Sequence, residues 1–480
     1  MGNLENDSNF LKKAVVVNIV GTILKVCGPL LTIVLARIFG AAEFGVFVST
    51  QTLLLTISRT ATLGLDKGLY WYLPQNRLQG RVSHAGVMES FWVSAAVALF
   101  CTLVIFVGSF TPLIADEMPW YGISLVFYAA CYVLSNVSEG NRRPQNAVFI
   151  NSFFVAVLAP ASSIALHFMG IPHALPLGLL VGQIGGFILH FVLVRRQFPE
   201  MPLVPKSRLP KELLIYSLPL GFNEFIASFL IRSSLWMVML FLGPEKAGAY
   251  GIMVTISNAL QTIRVGFNPI LTPVVAGMDK NRLQTDLKPI FSYCVTMITL
   301  IQLVIGFFIV LFPEEILSIA GKDFIVQPEA LGILLFVHLF SGFFGLTANI
   351  MNGIGKSLYT LKMNIFSLAV ALISGYFLVP AFGLVGAALS MFLYNMVAMV
   401  WNNFYLAYLK LWPYSLKLWS QLVWMFGLIG FYILVNMHVF TLTLVEKIGV
   451  YVLILAALGL QYKMQKKRLE QDKSSAKKSK

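Results

Sequence analysis

The sequence predicts an all-α polytopic membrane protein of about fourteen spans, arranged as two six-helix bundles and a C-terminal helical hairpin. Three observations lead there. Of 480 residues, 58% are hydrophobic and only 12% charged, with a mean hydropathy of +0.78; soluble domains run nearer half apolar and roughly a quarter charged. The apolar residues fall into runs of roughly 20, the length that crosses a ~30 Å hydrocarbon core. The short segments between the runs alternate in charge sign. No loop has room for an ATPase or glycosyltransferase domain.

Taken in order, the spans fall near 14–38, 45–65, 86–108, 120–140, 145–168, 174–194 and 214–242. They continue at 247–268, 289–312, 329–350, 363–379, 384–408, 419–437 and 440–462. Only Lys12 and Lys13 precede the first run, which is too long for a signal-peptide core and therefore reads as a retained span. Glycine-bearing turns separate several pairs. Ser217–Pro273 is the most telling stretch: two apolar runs joined by Gly243-Pro244-Glu245-Lys246-Ala247-Gly248. The same plan occurs 203 residues earlier around Gly40-Ala41-Ala42-Glu43-Phe44-Gly45. In that register Gly40 falls on Gly243, Gly45 on Gly248, Phe47 on Tyr250 and Thr52 on Thr255.

Loop charge fixes the orientation. With the N-terminus in the cytoplasm, cytoplasmic segments hold 27 of the 35 Lys and Arg, from Lys12 to the eight basic residues between Lys463 and Lys480. The outer loops hold Lys246, Lys322, Lys447 and Arg37, and are otherwise acidic through Glu43, Asp116, Glu117, Glu245, Glu314, Glu315, Asp323, Glu329 and Glu446. Such asymmetry implies an even number of spans with both ends cytoplasmic. The basic, Pro-containing loop from Arg195 to Lys211 divides the chain into 1–200, a first bundle, and 201–410, a second. Residues 411–462 are the appended hairpin, and 463–480 a basic tail expected to be disordered beyond Gln471. The net charge of +14 is thus a topology signal and not a nucleic-acid footprint. Cys27, Cys101, Cys131 and Cys294 lie in apolar runs without paired spacing, so neither disulfides nor a metal site is expected.

Four cations remain once the loops are counted: Lys25, Arg59, Arg232 and Arg264, all inside predicted spans. Each costs roughly 2.5–3.5 kcal/mol to insert, so such residues normally face a watery cavity or a partner. Arg264, about one turn from a helix end, has snorkelling to a headgroup as its structural alternative. Glu224 lies two turns before Arg232 on the same helix, too far for direct contact. Asp66 is placed to serve Arg59, and Glu89 and Glu139 sit near inner helix ends. With so few acids, a cationic cavity is the expectation, with pairing inside the bundle as the alternative. Lys and Arg in a cavity suit phosphate or pyrophosphate. Gly353-Ile354-Gly355-Lys356-Ser357 ends like a phosphate-binding loop, but Ile350 stands where the first glycine is required and no strand precedes it. The six histidines show no metal-ligand spacing, and no cofactor is expected.

Several turns carry a family likeness. Ala36-Arg37-Ile38-Phe39-Gly40 with Glu43-Phe44-Gly45-Val46-Phe47 resembles the first turn of bacterial polysaccharide flippases of the Wzx type. So do Gly243 to Tyr250, Gly353 to Lys356, and Phe382-Gly383-Leu384-Val385-Gly386-Ala387-Ala388, in order and spacing, over residues 10–460. The resemblance implies the MATE-like fold of the multidrug/oligosaccharidyl-lipid/polysaccharide (MOP) exporter superfamily, in which two bundles open alternately to each side. It further implies a flippase for undecaprenyl-pyrophosphate-linked oligosaccharide repeat units of O-antigen, capsule or exopolysaccharide. Peptidoglycan-precursor flippases of the superfamily carry cations on elements comparable to those of Lys25, Arg59, Arg232 and Arg264.

The expected function is therefore translocation of a lipid-linked oligosaccharide across a bacterial cytoplasmic membrane, without covalent chemistry. Lys25, Arg59, Arg232 and Arg264 are the substrate-binding candidates, and Glu224 the candidate for ion coupling. A glycan polymerase and chain-length proteins are the expected partners. Two alternatives stand beside it: a cation-coupled multidrug exporter of the same superfamily, and a non-transport scaffold or polymerase of a glycan pathway. Drug cations call for intramembrane acids, of which Glu224 is the strong candidate; a polymerase would need a larger outer loop than 312–328.

Overall fold

The computed structural model describes residues 2–78, 82, 84–108, 118–141, 146, 149–205, 208–267, 283–353, 357–415, 418–436 and 443–478. Side chains are described within these ranges except at 2–26, 77–78, 152, 283–286, 349, 352–353, 357 and 464–478. Helices α1 (Gly2–Ala61), α2 (Leu65–Leu78), α3 (Val87–Gly108) and α4 (Met118–Gly140) come first. A π-helical turn, Asn151–Leu158, leads into α5 (Ala159–Phe168), followed by α6 (Ala174–Gln197), α7 (Lys211–Leu242) and α8 (Pro244–Gly266). Then come α9 (Leu283–Leu311), α10 (Pro313–Ser318), α11 (Glu329–Phe344), α12 (Thr347–Gly353), α13 (Ser357–Phe382), α14 (Leu384–Tyr408), α15 (Trp419–Asn436) and α16 (Leu444–Lys478). No strand occurs among the described residues.

Ten described helices are long and apolar enough to span a bilayer, and Phe153–Phe168 and Glu329–Phe344 are shorter apolar helices. One of the ten, Cys27–Ala61, belongs to α1, which carries two predicted spans end to end and breaks between them at Gly40 (φ 76°, ψ 169°). With α8 included, every predicted span meets a helix. Gly243, the residue 203 positions on, has φ 85° and ψ 178°. Only glycine adopts that conformation without strain. The repeat, a repeat of plan more than of letters, is therefore also a repeat in the backbone.

Contacts gather the chain into two compact units, Met1–Ile252 and Met253–Lys480. The division falls inside α8, and α7 lies along the second limb of α1 within the first unit. The first unit's core joins α2, α3, α4, α6 and the start of α7 through Leu69, Met88, Leu134, Val137, Val194 and Leu213. Its two glycine turns cross each other. A Cβ on Gly45 would fall inside the Pro244 carbonyl, and one on Gly248 inside the Ala41 carbonyl. Those two contacts exchange under the 203-residue register, and Gly251, the counterpart of Val48, packs on Val48 itself.

In the second unit, α15 and α16 dock on their neighbours through polar contacts at several depths. Gln421 Nε2 donates to Thr296 Oγ1 (3.1 Å), Tyr432 Oη to the Glu329 carbonyl (2.7 Å) and Tyr451 Oη to the Val304 carbonyl (3.2 Å). Lys447 Nζ pairs with Glu315 Oε1 at 2.6 Å. The expected disorder beyond Gln471 is not found, since α16 continues to Lys478. Lys, Gln, Glu and Ala are good helix formers, and no Gly or Pro interrupts 463–478. The turn between the last two spans, 437–442, lies outside the described residues, as does most of the Gly353–Ser357 loop.

Candidate functional site

Within the first unit, the second limb of α1 and α7 run antiparallel, and their seam carries the charges. At one level Trp236 Nε1 donates to Thr52 Oγ1 at 3.0 Å. Further along, Arg59 Nη1 donates to Glu224 Oε2 at 2.9 Å. Beyond that, Gly64 backs onto Ser217 and Gly221 so closely that a Cβ would clash with backbone. Small residues at one end and crossed glycine turns at the other hold the helices near enough for a side chain of each to meet midway.

Arg59 and Glu224 form a charge-assisted pair that remains 28% and 32% exposed, so both face open space while touching. The Arg59 guanidinium also lies 4.6 Å from the centre of the Tyr132 ring on α4, a cation–π arrangement. Arg232 is half-buried on α7, and its Nη1 donates to the Ser228 carbonyl one turn back, at 3.0 Å. Among the described residues no carboxylate pairs with it. Arg59, Glu224 and the Tyr132 ring thus form one patch, and Arg232 stands two turns along α7 from Glu224.

Asp66 does not pair with Arg59 as the sequence suggested. It opens α2 almost fully buried, where its Oδ1 accepts from Thr62 Oγ1 at 2.9 Å and its Oδ2 from Asn136 Nδ2 at 3.4 Å. Burial pushes its carboxyl above the ordinary carboxylate value, against the pull of Lys67, the Thr62 bond and Arg59. The same Thr62 hydroxyl donates to the Arg59 carbonyl at 2.8 Å, so Asp66 sets the end of α1 and Glu224 takes the guanidinium. Sequence spacing ruled out a Glu224–Arg232 contact within α7, and the fold brings Glu224 a partner 165 residues away.

The remaining candidates lie elsewhere. Lys25 is on the first limb of α1, and its side chain is outside the described residues. Arg264 belongs to the second unit, in the last turn of α8, half-buried with its Nε buried and without a hydrogen-bond partner. Its field reaches the buried His338 of α11. Nearby, Gln302 Nε2 donates to the Leu260 carbonyl (2.8 Å) and the His338 carbonyl (3.2 Å), knitting α8, α9 and α11. Tyr132 escaped the sequence reading because one tyrosine in an apolar helix looks like packing. Among the described residues no cluster of His, Cys, Asp and Glu is suited to a metal ion.

Comparison with known proteins places this geometry in a family. Residues 10–278, more than half the chain, match the family described as polysaccharide biosynthesis protein, and residues 219–377 match MatE. An uncharacterized membrane protein of Methanocaldococcus jannaschii is 23% identical over 389 residues, covering 72% of this chain and 74% of its own. The fold resembles Lipid II flippase MurJ in an inward closed conformation, with a TM-score of 0.71 and 10% identity over 94% of this chain and 99% of that one. It also resembles an inward-facing multidrug resistance MATE family transporter of the MOP superfamily, with a TM-score of 0.62 and 15% identity over 81% and 95%. At those identities the likeness is one of fold. By its family match and by a helical architecture shared over nearly its whole length, this multi-pass membrane protein belongs to the polysaccharide biosynthesis protein family and has the fold of the MOP exporter superfamily.

Proposed function

We propose that the protein is a flippase that moves undecaprenyl-pyrophosphate-linked oligosaccharide repeat units across the bacterial cytoplasmic membrane, both its termini being cytoplasmic. The observation that carries this reading is the partly open pair of arginines, Arg59 and Arg232, on the α1–α7 seam of a polysaccharide-family membrane protein. Guanidinium forks match phosphate oxygens in geometry and charge. They are weakly hydrated for cations and so suited to a site inside the membrane. In this reading the arginines, with Lys25, hold the pyrophosphate and any acidic sugars while the polyprenyl chain stays in lipid, and Arg264 is the second unit's own substrate-binding candidate. The headgroup then crosses by alternating access, with no covalent step. Repeat units of O-antigen, capsule or exopolysaccharide are the substrates, and the glycan polymerase and chain-length proteins act downstream.

The test is a deletion strain. Lipid-linked repeat units should accumulate on the cytoplasmic side and surface glycan should disappear, both restored by the wild-type gene. Normal surface glycan in the deletion, in a strain with no second flippase, would sink the reading. The MatE match over 219–377 favours one alternative, a cation-coupled multidrug exporter. That reading expects the deletion to become drug-sensitive while its glycan stays normal.

A further inference from the structure

A second polar site lies away from the seam, wholly within the second unit. The end of α9, the starts of α10, α11 and α16, and the end of α15 surround a cavity of about 220 Å³. Glu314, Glu315, Glu329, Lys447, Tyr432 and Asn436 supply its polar lining. One wall is fixed: the Tyr432 hydroxyl donates to the Glu329 carbonyl at 2.7 Å, and a Cβ on Gly332 would fall inside the Tyr432 ring. Lys447 Nζ pairs with Glu315 Oε1 at 2.6 Å and lies 5.6 Å from the centre of the Phe312 ring. Glu314 and Glu329 make no ion pair among the described residues. Three carboxylates therefore share one ammonium, and the cavity attracts a further cation.

Size, donors and depth say which cation. The described residues offer no group of His, Cys, Asp and Glu suited to a metal ion. The volume is that of several waters at ~30 Å³ each, and it falls short of the roughly 300–1,000 Å³ of a drug-sized pocket. A primary ammonium on a short stem fits, because its three N–H donors can bridge carboxylates that do not converge on a point. A quaternary ammonium has no N–H to donate, and an anionic group is repelled. The cavity lies where three long apolar helices, α9, α15 and α16, end or begin, and Ile433, Leu434 and Ile448 are exposed next to Tyr432 and Lys447. That is the level of lipid headgroups. We propose that the cavity binds the headgroup of an amine-bearing phospholipid, with its ammonium between Glu314 and Glu329. Its phosphate meets Lys447, which gives one of its three N–H donors to Glu315. The bound lipid ties α15 and α16 to α10 and α11 and stabilises the second unit by mass action. Neither Arg59 nor Arg232 takes part.

The probes are phosphatidylethanolamine, phosphatidylcholine and phosphatidylglycerol with the same acyl chains, added in equal amounts to the full-length protein in detergent. Native mass spectrometry of the unmutated protein should show phosphatidylethanolamine retained about three- to tenfold better than the other two, the scale of one or two partly exposed ion pairs. It alone should raise the unfolding midpoint. The paired substitution Glu314→Gln and Glu329→Gln, at exposed positions, should remove the preference. Val435→Trp, which fills the cavity and keeps its charges, should remove it as well. Soluble phosphoethanolamine at the same concentration should leave the midpoint level. Three results overturn the proposal: equal retention of the three lipids by the unmutated protein, a preference that survives either variant, or protection by phosphoethanolamine equal to that of the lipid.

Discussion

In the first unit Arg59 meets Glu224 at 2.9 Å and the ring of Tyr132 at 4.6 Å, in surroundings that leave the pair about a third open. In the second unit Arg264 ends α8 beside the buried His338, with its Nε unbonded and no ion pair among the described residues. Both are single arginines near the end of an apolar run. Their surroundings differ because Arg59 meets an acid on an antiparallel partner helix, while Arg264 makes no ion pair among the described residues. An intramembrane cation is thus defined by the helix opposite it. Arg59 is held by a partly exposed carboxylate, and Arg264 has no ion pair among the described residues.

That contrast can be broken by experiment. The largest effect is expected at the seam: the double substitution Arg59→Ala and Arg232→Ala should abolish surface glycan while protein levels in the membrane stay at wild type. Immunoblotting beside glycan staining checks it, and normal glycan would remove the seam from the mechanism. Next comes Gly248→Val, which pushes a branched side chain into the Ala41 carbonyl where the turns cross. Overpacking there should cost about 3 kcal/mol or more, read as a lower unfolding midpoint in detergent. An equal midpoint would mean that the turns do not need the crossing.

Arg264→Met sharpens the other side of the comparison. Removing a half-buried charge that has no ion pair among the described residues should raise thermal stability by about 1–3 kcal/mol, even if transport falls. The same substitution at Arg232, on the more open seam, should leave stability within about 0.5 kcal/mol. If both variants shift alike, the two surroundings are not different in kind. The smallest effect is expected at Thr62→Val, which deletes the bonds to Asp66 and the Arg59 carbonyl and should cost about 1 kcal/mol, with weaker glycan display and not its loss.

Much of the fold was legible because it is local. Span positions follow from run length, and the break at Gly40 and its echo at Gly243 follow from glycines at a fixed register. Less of the site was legible. Arg59 and Arg232 stood out as charges in apolar runs, but Asp66 was the nearest acid in sequence to Arg59, and proximity along the chain proved the wrong guide. Tyr132 gave no signal, since a ring 4.6 Å from a guanidinium and one facing lipid read alike as letters. The helical extension to Lys478 was missed because polarity was read as disorder where helix propensity was the stronger cue.

By itself, then, the sequence determined the membrane class, the order of the spans, the repeated glycine turn and the short list of intramembrane cations. Each depends on the transfer of a side chain into lipid or on the dihedral preference of one residue, and both are properties of the chain alone. The tertiary structure decided which helices lie side by side. Only there do Ala41 with Gly248 and Pro244 with Gly45 become one reciprocal crossing, and only there does Glu224 find Arg59 across 165 residues. A pairing between helices depends on which face each turns to the other, and that is fixed by packing over their whole length.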